Sequence, residues 1–173
     1  MASGVGYAVI PGAISLSPVQ QAVSAVSGGV KVKRATEKYT EYEVPSICIN
    51  IRDEFIKKQT DDPSLAQFLD RQPVSQLRSV NVGVFRETDN ADPKKVYGAG
   101  KEEIYVTIAL TGLDSGNGWY ILIEKSYDRS PSQTSWNDAS MKLKAGDAVV
   151  WRGDLLYRHP PGGGGTFMTL VYA

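Results

Sequence analysis

Hydrophobic residues near the N-terminus follow the spacing of one helix face. The positions i, i+3, i+4 and i+7 are taken by Val19, Ala22, Val23 and Val26. We expect Ser17 to be the N-cap and Pro18 the first helical residue, because the first turn does not need the N–H that proline lacks. The glycine pair that begins at Gly28 predicts the end of this helix. The residues from Tyr7 to Ile10 predict a short strand before it.

The next segments combine extended and helical patterns. Residues 30–50 predict extended chain, because Val30 and Val32 alternate with lysines. A second alternating run consists of Ile47, Ile49 and Ile51. A helix is predicted from Asp62 to Arg71, since Asp62 and Pro63 supply a cap and a first turn. Its apolar stripe would be Leu65, Phe68 and Leu69.

From Val80 onward the pattern changes to short strands separated by turns. The predicted strands are rich in β-branched and aromatic residues, and they run from Ser79 to Phe85, Ile104 to Leu110, Trp119 to Glu124, Ala148 to Trp151 and Phe167 to Tyr172. The predicted turns run from Thr88 to Pro93, Gly112 to Gly118, Ser130 to Ser135 and Pro160 to Gly165. We therefore expect a mainly β fold with flanking helices, in which one domain of residues 1–173 forms a sandwich or barrel and the N-terminal helices pack outside.

Composition limits the chemistry of the chain. Its 173 residues contain 19 Lys and Arg, 19 Asp and Glu, one His and one Cys, Cys48. A single cysteine excludes an intramolecular disulfide and a thiolate zinc cluster. Because the net charge is zero and no long basic block is present, the sequence predicts no nucleic-acid partner.

The N-terminal thirty residues carry no charge, yet they do not fit a signal peptide. Pro11 and Pro18 interrupt the apolar stretch, and the first cation is Lys31. No apolar run approaches the ~20 residues that a membrane-spanning helix needs. These features predict a soluble, cytoplasmic protein without a membrane partner, and they leave open whether it forms a homodimer.

Several motifs of the chain resemble one enzyme family. They are Gly6 to Gly12 (GYAVIPG), Tyr105 to Leu113 (YVTIALTGL), Asn117 to Trp119 (NGW) and Lys144 to Arg158 (KAGDAVVWRGDLLYR). They resemble the phytanoyl-CoA hydroxylase-like branch of the iron(II)/2-oxoglutarate-dependent oxygenases. The resemblance implies a double-stranded β-helix, a jelly-roll or cupin-like barrel of two antiparallel sheets with a pocket between them.

The residues that this family uses for metal binding are not matched. The family holds iron with a His-x-Asp/Glu pair and a distant His, but the chain has one histidine. Tyr157 occupies the position of the distant His, and His159 follows two residues later. The segment that most resembles the His-x-Asp/Glu pair is Glu87-x-Asp89. A second alignment places the pair near Lys95 and Tyr97.

The cosubstrate residue of the family is also missing. The family binds the 2-oxoglutarate carboxylate with a basic residue on the last strand, but Thr166 to Tyr172 contain neither Arg nor Lys. Two requirements of the oxygenase chemistry are thus absent together. We therefore expect no cofactor and no metal. The preferred hypothesis is a metal-independent enzyme, of isomerase, dehydratase or cyclase type, that acts on a small hydrophobic metabolite in secondary metabolism.

Strand alternation then suggests a lining for the pocket. On the strand from Ile104, Tyr105, Thr107 and Ala109 share one face, and Val106 and Ile108 share the other. If the more polar face lines the pocket, the predicted substrate-binding residues are Tyr105, Thr107, Trp119 and Thr169. The predicted catalytic residues are Tyr157, His159 and Arg152, which supply acid or base groups.

Two other hypotheses remain open at this point. The chain could be a divergent oxygenase that binds Fe(II) through Glu87, Asp89 and His159 and uses 2-oxoglutarate. It could also be a non-catalytic binding or interaction protein that keeps only the barrel. Each residue has a structural alternative as well: His159 as a loop residue, Glu87 and Asp89 as turn residues, Trp119 as a core residue and Arg152 as a surface charge.

Overall fold

Antiparallel strands from both halves of the chain form two facing sheets. The computed structural model describes residues 4–61, 76–88, 92–128 and 137–173. The predicted helix from Asp62 to Arg71 lies outside these ranges. The described helices are α1 (Leu16–Ser27) and α2 (Ser46–Asp61), with a 3-10 turn at Ser126–Asp128. Neither α1 nor α2 combines the length and the apolar character that a membrane span requires.

The described strands follow the chain order of the sequence. They are β1 (Tyr7–Ile10), β2 (Val32–Ala35), β3 (Tyr39–Tyr42), β4 (Leu77–Phe85), β5 (Tyr97–Gly98), β6 (Ile104–Ala109), β7 (Ile121–Ile123), β8 (Asp138–Ala139), β9 (Ala148–Arg152), β10 (Leu156–Arg158) and β11 (Thr166–Tyr172). The large sheet has the order β1-β9-β6-β11-β4-β3-β2, and the small sheet has the order β5-β10-β7-β8. All pairings are antiparallel, and the arrangement confirms the predicted jelly-roll fold with helices outside.

The two faces of the large sheet have different partners. Its outer face packs on the helices, where Val106 and Ile108 of β6 are fully buried in one cluster with Val19 and Ile51. Because side chains alternate along a strand, Tyr105 and Thr107 point to the opposite face, toward the small sheet. The predicted division of β6 into two faces therefore matches the fold.

Helix α1 begins two residues earlier than the sequence predicted. Its N-cap is Ser15 rather than Ser17, and Pro18 is the third helical residue. Proline is accepted there because the N–H groups of the first turn have no acceptor within the helix. The Ser15 backbone N–H and hydroxyl donate to the Glu54 carboxylate of α2, at 2.8 and 3.1 Å. This contact between helices fixes the start of α1.

The extended conformation predicted around Ile47, Ile49 and Ile51 is wrong, because these residues belong to α2. The buried residues of this helix are Cys48, Ile51 and Phe55, which are spaced three and four positions apart. That spacing is one helix face. The alternation of the three isoleucines concealed this helix face, because it treats Cys48 as a polar position. Cys48 is fully buried and belongs to the apolar face.

Candidate functional site

A cavity of about 520 Å³ lies between the two sheets. The inner face of the large sheet forms its floor, and the small sheet covers it. Polar side chains of the floor include Thr107 on β6, Thr169 on β11, Asn81 on β4 and Glu41 on β3. The register of the sheet places Thr169 beside both Thr107 and Asn81, so these three form a row across neighbouring strands.

Aromatic rings form most of the remaining wall. Tyr120, which directly precedes β7, stacks on Tyr157 of β10 with 4.2 Å between ring centroids, and Tyr97 of β5 stacks on Tyr157 at 5.6 Å. On the large sheet Tyr105 stacks on Trp151 at 4.8 Å. Stacked rings cost little conformational entropy on binding and present broad apolar surface. The cavity is therefore suited to a hydrophobic ligand with a few polar groups.

Lys38 extends into this cavity from the turn between β2 and β3. Its Nζ donates a hydrogen bond to the Tyr157 hydroxyl at 2.8 Å and lies 3.6 Å from the centroid of the Tyr97 ring. The turn is held by the Thr36 hydroxyl, which donates to the Tyr39 carbonyl at 3.0 Å and accepts from the Lys38 N–H at 3.2 Å. The start of β3 thus fixes the position of the amine.

The surroundings of Lys38 favour its neutral form. Burial is the main cause that lowers its pKa to about 8, and the positive charge of Lys95 lowers it further. The negative charge of Glu37 acts in the opposite direction. A half-buried lysine with a lowered pKa, such as Lys38, can act as a base or as a nucleophile near neutral pH.

Tyr157 keeps its proton at neutral pH. Burial raises the pKa of Tyr157 to about 12, with a further increase from Tyr39, while a hydrogen bond with Tyr120 lowers it. Burial also raises the pKa of Tyr120, well above the usual value. The Tyr157 hydroxyl therefore keeps its proton beside the Lys38 amine, so that an acid and a base lie 2.8 Å apart.

Glu41 is a buried carboxylate in the floor of the cavity. Its side chain is 1% exposed, and it binds Lys33 Nζ at 2.9 Å and the Arg34 guanidinium. Burial by itself disfavours the charged form, but the hydrogen bonds from Lys33 and Arg34 outweigh burial and lower the pKa of Glu41. The carboxylate is therefore charged and already paired with Lys33 and Arg34.

His159 lies in the wall behind Tyr120. Its side chain is 7% exposed and packs against Phe85 and Tyr120, with ring centroids 6.3 and 5.8 Å away. Neither ring nitrogen has a hydrogen-bond partner among the described residues. Burial, and next the charge of Lys38, lowers the pKa of His159 to about 4. The imidazole is therefore neutral at neutral pH.

The structure brings most of the sequence-predicted site residues together. The cavity lining includes Tyr105, Thr107, Trp119, Tyr157 and Thr169. Arg152 is not part of it, because its guanidinium binds the Asp154 carboxylate at 2.6 Å and covers the ring of Tyr127. The catalytic and binding roles of these residues remain predictions.

Sequence reasoning missed Lys38, Tyr120 and Glu41. Lys38 is one of 19 basic residues and belongs to a turn, so no periodic pattern marks it. Tyr120 directly follows Trp119, and the sequence analysis selected only Trp119 from this segment. The alternation of Tyr39 and Glu41 on β3 was the one available signal, since both residues point toward the cavity.

The positions that the resemblance assigns to iron ligands can now be located. Tyr97, near which the second alignment places the His-x-Asp/Glu pair, is the direct partner of Tyr157 in the pairing of β5 with β10. Glu87 is exposed, and Asp89 lies outside the described residues. Within the described ranges no three His, Cys, Asp or Glu side chains are grouped so that they could hold a metal ion.

The donors present at these positions do not fit the ferrous site of the oxygenases. That site needs imidazole and carboxylate lone pairs, whereas β5 and β10 present two tyrosine side chains, with the Lys38 amine in contact with both. A basic residue for 2-oxoglutarate is also absent from β11, where Thr169 faces the cavity. No step of the chemistry below therefore uses iron.

Comparisons with known proteins give matches among solved structures. No protein-family model and no curated protein matches the sequence. The carbocyclase SnoK, a non-heme α-ketoglutarate-dependent enzyme from nogalamycin biosynthesis, is 16% identical with a TM-score of 0.68, covering 98% of this chain and 79% of its own. The epimerase SnoN, from the same biosynthesis, is 13% identical with a TM-score of 0.65, covering 98% and 78%.

A third neighbour has a similar level of agreement. HygX from Streptomyces hygroscopicus, with nickel and 2-oxoglutarate bound, is 14% identical with a TM-score of 0.64, and the match covers 98% of this chain and 83% of HygX. Identities this low establish a common architecture and leave the chemistry open. The chain has the fold of the non-heme α-ketoglutarate-dependent enzymes.

Proposed function

We propose that this protein is a metal-independent enzyme that moves protons on a small hydrophobic metabolite, in a reaction of isomerase, dehydratase or cyclase type. The observation that carries the proposal is the Lys38 amine, which lies inside an aromatic cavity and is hydrogen-bonded to the Tyr157 phenol at 2.8 Å. An acid and a base in contact at the wall of a ligand-sized cavity are what general acid–base catalysis requires.

The two groups have complementary roles. Neutral Lys38 accepts a proton from a carbon next to a carbonyl group, and the Tyr157 hydroxyl donates a hydrogen bond to the oxygen on which negative charge develops. A pKa of about 8 gives Lys38 a useful neutral fraction near neutral pH. Return of the proton to a different atom of the substrate completes an isomerisation. This assignment places the base at Lys38 rather than at His159 or Arg152.

The floor and the wall orient the substrate. Tyr105 and Trp119 offer apolar surface, and the hydroxyls of Thr107 and Thr169 offer hydrogen bonds. The Thr107 hydroxyl oxygen accepts a hydrogen bond from the Trp151 indole N–H at 3.2 Å. This bond fixes the orientation of the hydroxyl group. A cavity of about 520 Å³ is in the range of sites for drug-sized molecules.

The structural neighbours support the substrate class. SnoK and SnoN are a carbocyclase and an epimerase from nogalamycin biosynthesis, and HygX is known with hygromycin B bound. Rearrangement reactions on secondary metabolites are thus carried out on this fold. We propose the same metabolite class here, without Fe(II) and without 2-oxoglutarate as cofactors.

The test follows proton transfer directly. The protein is treated with EDTA and incubated with 2-tetralone in D₂O, and exchange of the protons next to the carbonyl is followed by NMR. We expect exchange above the buffer rate, reduced at least ~100-fold by Lys38→Met and reduced by Tyr157→Phe. The control is Lys142→Met, because Lys142 is exposed and does not line the cavity.

Two results would contradict the proposal. Exchange equal to the buffer rate for the folded wild-type protein would favour a non-catalytic binding protein. Consumption of 2-oxoglutarate that depends on added Fe(II), and that is lost in His159→Ala, would favour a divergent oxygenase. Circular dichroism of each variant verifies that the fold is intact.

A further inference from the structure

We infer that Lys38 forms a covalent imine with its ligand, so that the cavity selects aldehydes and ketones. This inference rests on the proposed function and names the substrate class of the same site. Its basis is the placement of Nζ, which lies over the Tyr97 ring and in contact with the Tyr157 hydroxyl, inside a cavity lined mainly by aromatic residues.

Within the described part of the chain, the amine has no ion-pair partner that would hold it as a cation. The ion pairs of the described residues do not include Lys38. The charged and titratable groups that act on it are Lys95, which repels a positive charge, Glu37, which attracts one, and the neutral His159. The ring faces of Tyr97 and Tyr157, at 3.6 and 4.8 Å from Nζ, give only weak cation stabilisation.

The chemistry balances without an oxidant or a metal. The Nζ lone pair attacks the carbonyl carbon and forms a C–N bond, while the carbonyl oxygen takes a proton from the Tyr157 hydroxyl. The nitrogen then loses a proton, which returns to the Tyr157 oxygen. The Tyr157 hydroxyl next gives a proton to the carbinolamine hydroxyl, which leaves as water while the nitrogen lone pair forms the C=N bond. The iminium nitrogen then loses its remaining proton to the Tyr157 oxygen, which restores the phenol. The net change is an amine plus a carbonyl compound giving an imine plus one water.

The neutral amine fraction supports this reactivity. With a pKa of about 8 instead of the ordinary 10.5, Lys38 at pH 7.5 has a neutral fraction roughly 200-fold larger than that of an exposed lysine. A carbonyl reagent is therefore expected to react with Lys38 well before it reacts with the surface lysines. The rate of reaction should rise with pH and level off above about pH 8.

The experiment uses benzoylacetone, a 1,3-diketone with one phenyl ring. A neutral lysine converts such a diketone into a stable enaminone, which absorbs in the near ultraviolet and adds the mass of the diketone less one water. We expect one adduct per chain in the wild-type protein, and peptide mapping should place it at Lys38. The adduct should be lost in Lys38→Met, formed more slowly in Tyr157→Phe, and retained in Lys142→Met.

Several outcomes overturn the inference. One is labelling spread over the surface lysines at similar rates in the wild-type protein. Another is an adduct that persists in Lys38→Met. A third is proton exchange on 2-tetralone without any adduct; Lys38 then acts as a base only, and the proposed function stands alone. An adduct at Lys38 without proton exchange supports the inference while the proton-transfer role fails.

Discussion

The pKa of His159 reports how well the wall of the cavity is shielded from solvent. Its imidazole is 7% exposed, has no hydrogen-bond partner among the described residues, and faces the charge of Lys38. Protonation would place a charge in this apolar wall beside a second cation. We therefore predict that His159 titrates near pH 4 rather than near 6.5.

This shift has a consequence for stability. Because the pKa of the folded state lies below that of the unfolded state, the unfolded chain binds more protons between pH 6.5 and 4. The free energy of unfolding must then fall as the pH falls through this window. At pH 4.5 the loss attributable to His159 is about 2 to 3 kcal/mol relative to neutral pH. A His159→Phe variant keeps an aromatic ring at this position and lacks the titration.

Two assays test the prediction. The chain has one histidine, so the imidazole proton signal in an NMR titration needs no assignment. Urea denaturation of the wild type and of His159→Phe at pH 7.5 and 4.5 isolates the contribution of His159, because all other titrating groups are shared. We expect the stability of the variant relative to wild type to rise by about 2 to 3 kcal/mol at the lower pH.

A linked variant distinguishes the two causes of the shift. Burial is the larger cause and the charge of Lys38 is the second. Lys38→Met should therefore raise the pKa of His159 only part of the way toward 6.5. The reasoning is refuted if the wild-type imidazole titrates at pH 6.5 or above, or if the stability difference between wild type and His159→Phe does not depend on pH.

Two further predictions concern the floor and the mouth of the cavity. Gly83→Ala should destabilise the fold by about 1 to 3 kcal/mol in urea denaturation, because its Cβ would lie 2.7 Å from Cζ of Phe167. Gly98→Ala is the matched control with 3.9 Å of clearance, and equal losses would contradict the argument. Lys95→Met should move the pH profile of proton exchange upward, because Lys95 lowers the pKa of Lys38; an unchanged profile would contradict this.

The β region could be predicted because its strands carry local signals. Apolar and β-branched residues mark β6, β9 and β11 within one or two residues of their observed ends. The two-residue strands β5 and β8 escaped prediction, since a strand this short has no periodicity. Their place is set by neighbouring strands, as when Gly98 pairs with Leu156. Tertiary pairing rather than local preference defines them.

The helix α2 shows the opposite error. Its isoleucines alternate as in a strand, yet the segment folds as a helix because Cys48, Ile51 and Phe55 bury one face against α1 and the large sheet. An isolated segment fits both patterns to a similar degree. The choice depends on which surface is available, and the outer face of the large sheet needs a cover.

The site was predictable only where it lies on regular strands. Tyr105, Thr107 and Thr169 were found by alternation, and Tyr157 was found by its position in a motif. Lys38 was not found, because its contact with Tyr157 joins residues 119 positions apart. Neither residue carries a local signal for the other. The position of the Lys38 amine in the cavity thus depends on the sheet register, which places the turn before β3 opposite β10.

The position of Lys38 also bears on the oxygenase alternative. Tyr97 and Tyr157 lie side by side on β5 and β10, at the positions that the resemblance assigns to metal ligands, and the Lys38 amine lies within 5 Å of both ring centroids. A metal ion held between these strands would repel a protonated amine at that distance, and in a poorly hydrated cavity the repulsion is only weakly screened. Tyrosine rather than histidine at these two positions and a lysine amine beside them are therefore mutually consistent. A histidine at position 157 alone would leave this repulsion in place.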